Sequence, residues 1–141
     1  MKPLQIFIVA LSFTILFSSC KDYGKKATKG PIEVFYKDGV TATQAQKAAN
    51  LFFYIDSSQN NNTKESKSIQ FTKIADTIFF KMVASKEKLA SVNDFAFEAI
   101  GNMFTDSVFD GKPVNVELTD NTFNPIKKVQ FKKLDLNNLN Q

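Results

Sequence analysis

Ser68-Ile69-Gln70-Phe71-Thr72-Lys73-Ile74-Ala75-Asp76-Thr77-Ile78-Phe79-Phe80-Lys81-Met82-Val83-Ala84 is the longest alternating stretch of the chain. Before the Ala75-Asp76 link, Ile69 and Phe71 are set against polar neighbours. After it, Ile78, Phe80 and Met82 fall on one parity and Phe79, Lys81 and Val83 on the other. A period of two is that of a strand, and a two-residue link makes two such runs a hairpin. One face of this hairpin carries Ile69, Phe71, Ile78, Phe80 and Met82 and needs a second layer packed on it.

The flanking sequence supplies that layer twice. Upstream, Thr41-x-x-Gln44 has the form of a capping box, with the hydroxyl taking a first-turn N–H and Gln44 reaching back to the cap backbone. Ala45, Ala48, Phe52 and Ile55 then recur at helical spacing. Before this helix, Ile32-Glu33-Val34-Phe35-Tyr36 reads as a strand that stops at the turn signal Lys37-Asp38-Gly39. The run from Asp56 to Lys67 has no apolar residue and reads as an exposed loop. Downstream, Ser91-x-x-Asp94 has the form of a second cap. Val92, Phe95, Ala96, Ala99, Met103 and Phe104 continue it as a helix to about Phe109. Gly101 costs that helix about 1 kcal/mol relative to Ala and is expected where the helix packs closely. Asp110-Gly111 ends it with a left-handed cap. Val114, Val116 and Leu118 form a fourth strand, and Pro125 limits the turn before a fifth, Ile126 to Phe131.

The order strand, helix, strand, strand, helix, strand, with one strand added, resembles the ferredoxin-like βαββαβ sandwich. That resemblance implies an α+β domain, an antiparallel sheet, and two helices on one face reached by right-handed crossovers. Phe52, Phe71, Phe80, Phe104 and Val116 would meet in its core. The strands at Ile32–Tyr36 and Thr77–Ala84 would be its central pair. The same elements in another strand order form the rival arrangement.

The N-terminus reads differently. After Met1-Lys2-Pro3, Leu4 to Phe17 is apolar except at Gln5, Ser12 and Thr14, and Ser18-Ser19-Cys20 follows. This is the layout of an export leader. It is short for a span, which takes roughly 20 residues of helix. Phe17-Ser18-Ser19-Cys20 resembles the lipobox of bacterial lipoproteins. The resemblance implies cleavage before Cys20, a diacylglycerol on its thiol, and a mature protein held at a membrane of the cell envelope, periplasmic or surface-facing. Cys20 is the one cysteine of the chain, and lipidation accounts for it. Lys21-Asp22 is similar to a weak form of the Lys/Asp/Glu-rich export tag of Bacteroidota surface lipoproteins. The expected division is a leader over 1–19, a lipidated tether over 20–30, a single domain over 31–134 and a frayed tail over 135–141. At about 120 residues the mature chain suffices for one core.

Composition narrows the chemistry. There is no His, and every basic residue is Lys. With Cys20 given to lipid, a Ser-His-Asp or Cys-His nucleophile and a His or thiolate zinc site are excluded. Gly-rich phosphate loops and calcium-loop spacing are absent from the sequence. Asp106 and Asp110 are spaced as one helical turn, but a helix C-terminus does not favour them as a cation site, and neither metal nor cofactor is expected. The expected function is a non-enzymatic interaction or ligand-binding domain of an envelope lipoprotein, with the membrane and an unidentified envelope protein or small ligand as partners. The alternatives are a carboxylate-dependent hydrolase or carbohydrate-processing enzyme, and a structural lipoprotein that dimerises through its open sheet face.

That open face is expected to carry Glu33, Phe35, Lys37, Gln70, Thr72, Phe79, Lys81, Val83, Asn115 and Glu117. Phe35, Lys37, Phe79, Lys81 and Val83 are the candidate interaction surface. Thr77-Ile78-Phe79-Phe80-Lys81 lacks the basic-Gly-aromatic-Gly order of RNA-binding domains, so no nucleic-acid partner is expected. Asp76-Thr77-Ile78 and Asp106-Ser107-Val108 are similar to the Asp-Ser/Thr-aliphatic sites of Bacteroidota O-glycosylation, and Thr77, beside a turn, is the better candidate.

Overall fold

The computed structural model describes residues 21–59, 65–91 and 93–135. Cys20, Val92 and the last six residues lie outside the described residues, as does the leader. In chain order the elements are β1 (Lys25–Lys29), β2 (Ile32–Tyr36), α1 (Ala42–Ser58), β3 (Lys67–Ile74), β4 (Thr77–Val83), α2 (Lys86–Leu89), α3 (Asp94–Ser107), β5 (Val114–Thr119) and β6 (Pro125–Val129).

The central hairpin is β3 and β4, with Ile74 opposite Thr77 and Phe71 opposite Phe80. Ala75 takes a left-handed φ of 54° to close the two-residue turn. The capping box at α1 is made: the Gln44 N–H donates to Thr41 Oγ1 at 3.2 Å, and the Thr41 N–H donates to Gln44 Oε1 at 3.0 Å. The second helix is capped elsewhere than expected. Asn93 Oδ1 accepts from the Phe95 N–H at 2.9 Å, two residues beyond Ser91. The helix closes at Ser107, before Phe109, and Asp110 has a left-handed φ of 52°. Asp106 and Asp110 therefore do not share a helical face.

The sheet has six strands in the order β1-β2-β3-β4-β5-β6. The pairs β2/β3 and β4/β5 are parallel, and β1/β2, β3/β4 and β5/β6 are antiparallel. This replaces the antiparallel ferredoxin-like arrangement. Each helix links adjacent strands instead of skipping one, β3 and β4 form the central pair, and β2 is separated from β4 by β3. The sixth strand is β1, in the lysine-rich segment expected to be a tether. Its Ala27 packs inward opposite Val34, while Lys25, Lys26 and Lys29 point to water. Charged residues of this kind are how natural sheets blunt an exposed edge.

The two long helices, α1 and α3, lie on one face, as expected. Phe80 meets Phe52 of α1 at 6.0 Å and Phe104 of α3 at 5.0 Å between ring centroids. Ile32, Val34, Ile69, Phe71, Ile78, Val114, Val116 and Leu118 complete the buried floor. The strand order then fixes the chirality. The step from β2 to β3 and the step from β4 to β5 run in the same lateral direction, but the second pair points the opposite way along the strands. With both helices on one face, the two crossovers have opposite hands, so one of them is left-handed. That is rare, since about 98% of such connections are right-handed. Gly101 shows how tightly α3 is seated, because a Cβ there would lie 2.9 Å from the Val114 carbonyl oxygen of β5.

Candidate functional site

The two helices do not cover the helical face evenly. α1 lies over β1 and β2, and α3 over β5 and β6. Phe52 of α1 and Phe104 of α3 each rest against Phe80, and the space between the two helices opens beside Met82 and Leu118. The gap is a cleft of about 590 Å³. Phe52, Met82, Phe97, Ile100 and Leu118 are its apolar walls, and Ser68, Ser85 and Asn121 stand among its polar residues. A volume of this order suits a small-molecule site.

The cleft also holds a charge pair. Asp56, in the last turn of α1, is 5% exposed and forms an ion pair with Lys67 at the start of β3. Both residues bound the run expected to be an exposed loop. The signal was present in the spacing, because Asp56 stands four residues after Phe52 on the stripe of Ala45, Ala48 and Phe52. A carboxylate there is carried inward by the helix period. Glu65 lines the same cleft, so two carboxylates border one cavity.

The opposite sheet face is organised in cross-strand rows. Lys26, Phe35, Gln70, Lys81, Glu117 and Lys128 form one row across all six strands. Gln70 and Glu117 are buried within it at 3% and 4% exposure. Two segments outside the sheet cover this row. Tyr23 comes from the N-terminal side and Phe123 from the β5–β6 turn, and with Phe35 they form an edge-to-face triad with centroids 5.3 to 5.9 Å apart. Phe35 is thus half-buried under two rings and is not an open aromatic patch. The Gln70 amide donates to the Tyr23 carbonyl at 3.0 Å.

Phe123 is held by a tightly built turn. The Asp120 carboxylate accepts from the N–H groups of Thr122 and Asn124, from the Thr122 hydroxyl and from the Asn124 amide. The Asn124 N–H first, and then the Thr122 hydroxyl, hold its carboxyl well below the usual carboxylate range. At the sheet rim, the Lys26 ammonium hydrogen-bonded to Glu33 lowers the Glu33 carboxyl too, against a smaller opposing effect of burial.

The predicted surface residues do not form one patch. Lys37 and Lys81 border a depression of about 300 Å³ together with Lys21, Tyr23, Gln70 and Phe123. Phe79 lies one row further along β4, opposite Thr72, and is half-buried. Val83 lies at the other end of β4, 38% exposed, at the border of the interhelical cleft. Thr77 is the half-buried first residue of β4, directly after the turn. Tyr23 and Phe123 were not legible as site residues, since nothing in their local spacing shows that they meet over β2. Among the described residues, no three His, Cys, Asp or Glu side chains group as metal ligands.

No helix among the described residues is long and apolar enough to cross a membrane. No curated protein matches the chain, and no solved structure does. One family model matches residues 26–131, from β1 to just past β6, and its description, a family N-terminal domain, states a position and no activity. The match spans most of the chain, and on that ground the protein belongs to the AF_1994_N family of N-terminal domains.

Proposed function

We propose that the chain is an envelope lipoprotein, lipidated at Cys20, whose folded domain is a non-enzymatic module holding a small, largely apolar ligand between α1 and α3. The observation that carries the ligand-binding part is the cleft floored by Met82 and Leu118 and walled by Phe52, Phe97 and Ile100. Apolar walls with a few polar groups at the mouth are the usual make-up of a pocket for an uncharged or amphipathic small molecule. The Asp56–Lys67 pair at that mouth would orient a hydrogen-bonding end of the ligand. The anchor rests on the leader and Phe17-Ser18-Ser19-Cys20, whose form is that of a lipoprotein signal.

The environment-sensitive dye anilinonaphthalene sulfonate tests the cleft. The expected result is saturable binding to the native protein, weakened about tenfold by Met82→Glu with the circular dichroism spectrum unchanged. Equal binding to both proteins would reject the cleft. Metabolic labelling with an alkyne fatty acid tests the anchor, and the label is expected on the native protein and lost in Cys20→Ala.

A carboxylate-dependent hydrolase is the second reading, favoured by Asp56 and Glu65 bordering one cavity. It requires a turnover that Asp56→Asn and Glu65→Gln each abolish. Thr77 remains our candidate for O-glycosylation, to be read as a mass increment that Thr77→Ala removes.

A further inference from the structure

We propose that the sheet face opposite the helices lies directly against the membrane, with Lys21, Lys37 and Lys81 seated among anionic lipid headgroups. This rests on lipidation of Cys20. It adds an orientation, a contact surface and a lipid preference to the anchor.

Little chain separates the anchor from the fold. A soluble tether would let the domain turn freely, but from Asp22 onward the segment after Cys20 is fastened to the sheet. Lys21, Asp22 and Tyr23 already line the depression over β3 and β4. The Lys37 ammonium donates to the Asp22 carbonyl at 3.3 Å, and the Gln70 amide to that of Tyr23 at 3.0 Å. The Tyr23 ring closes the triad with Phe35 and Phe123. Gly24 follows at a φ of 88°, so close to β2 that a Cβ would stand 2.3 Å from the Tyr36 carbonyl oxygen. Cys20 is the neighbour of Lys21, and consecutive Cα atoms are about 3.8 Å apart. Acyl chains on Cys20 would therefore enter the bilayer within one residue of this face.

Charge then selects the lipid. Three ammonium groups, Lys21, Lys37 and Lys81, border the depression, against one carboxylate, Asp22. The other lysines of the row are engaged, Lys26 with Glu33 at 2.9 Å and Lys128 with Glu117 at 3.7 Å. Lysines close to an anionic membrane surface are drawn to it, so the three ammonium groups of the depression, whose charges no carboxylate ion pair among the described residues offsets, favour phosphatidylglycerol-type headgroups over zwitterionic ones. With this face down, the interhelical cleft points away from the bilayer and stays open to solvent.

The test uses the native lipoprotein, purified in detergent and reconstituted into phosphatidylcholine vesicles with or without phosphatidylglycerol. A water-soluble amine-reactive reagent is applied, and each lysine is quantified by peptide mass spectrometry. Lys37 and Lys81 are expected to be labelled several-fold less on the anionic vesicles, with Lys47 on the exposed side of α1 unchanged. The pair Lys37→Glu and Lys81→Glu should remove the vesicle protection of the face as read at Lys21. Equal labelling of Lys37 and Lys81 on both vesicle types would overturn the proposal, as would protection of Lys47 along with them. Protection by inorganic phosphate in detergent alone would assign the site to a soluble anion and overturn the membrane contact. The Cys20 peptide is read in the same spectra. If it carries no lipid, the anchor itself is wrong, which separates that failure from a wrong orientation.

Discussion

Phe71 and Phe80 stack across the central hairpin with ring centroids 5.1 Å apart and planes 22° from parallel. Both are fully buried, and each also touches Phe104 of α3. Phe80 is further pressed by Phe52 of α1, so one ring joins both helices to the sheet. Phe80→Ala is expected to cost about 3–5 kcal/mol, the range for deleting a buried aromatic ring. Urea denaturation measures it, and a loss comparable to that of an exposed residue such as Tyr54→Ala would refute the central role.

Gly101→Ala sets helix propensity against packing. Alanine improves the helix by about 1 kcal/mol, but its Cβ would stand 2.9 Å from the Val114 carbonyl oxygen, which is backbone and cannot turn aside. Packing is expected to win, so the variant is less stable than the native protein. A raised melting temperature would show that α3 rides higher on β5 than described.

The Asp56–Lys67 pair is asymmetric, with Asp56 at 5% and Lys67 at 32% exposure. Lys67→Met removes the ammonium from a carboxylate that has little access to water, at a cost of about 1–3 kcal/mol. Asp56→Asn leaves an ammonium that can turn to solvent, and it costs less. Comparing the two denaturation midpoints checks the order, and the reverse order would contradict it.

Asp120 gives a pH dependence of known sign. A carboxyl whose pKa is lower in the folded than in the unfolded chain stabilises the fold above its unfolded value, and that contribution is lost as pH falls through the folded value. The β5–β6 turn is therefore expected to keep its hydrogen bonds at pH 3.8, the ordinary aspartate value, and to open only well below it. The carboxyl carbon shift of Asp120 reports this directly. Asp120→Ala should free Phe123, broadening the ring resonances of Tyr23 and Phe35 with it.

The elements with strong local signals were legible in the sequence: the hairpin from its parity, α1 from the Thr41–Gln44 box, and the shared burial of Phe52, Phe71, Phe80, Phe104 and Val116. The strand order was not. A crossover through a helix closes on the adjacent strand or on the next one with the same residues, and no local pattern in 37–66 or 84–113 distinguishes the two. β1 was missed because an edge strand guarded by Lys25, Lys26 and Lys29 has the composition of a solvated linker. At the cleft, Met82 and Leu118 were visible as buried positions. That they floor an opening depends on how far apart α1 and α3 stand, which is a tertiary quantity.

The opposite hands of the two crossovers bear on ancestry. Hairpin, helix, hairpin, helix, hairpin has the look of a tandem copy. The rotation that lays β4 and β5 on β2 and β3 carries α3 to the wrong side of the sheet, and only a mirror operation would return it. L-amino acids offer no such operation. Duplication of one βαβ segment with its fold preserved does not generate this molecule, so its two halves are alike in outline and opposite in hand.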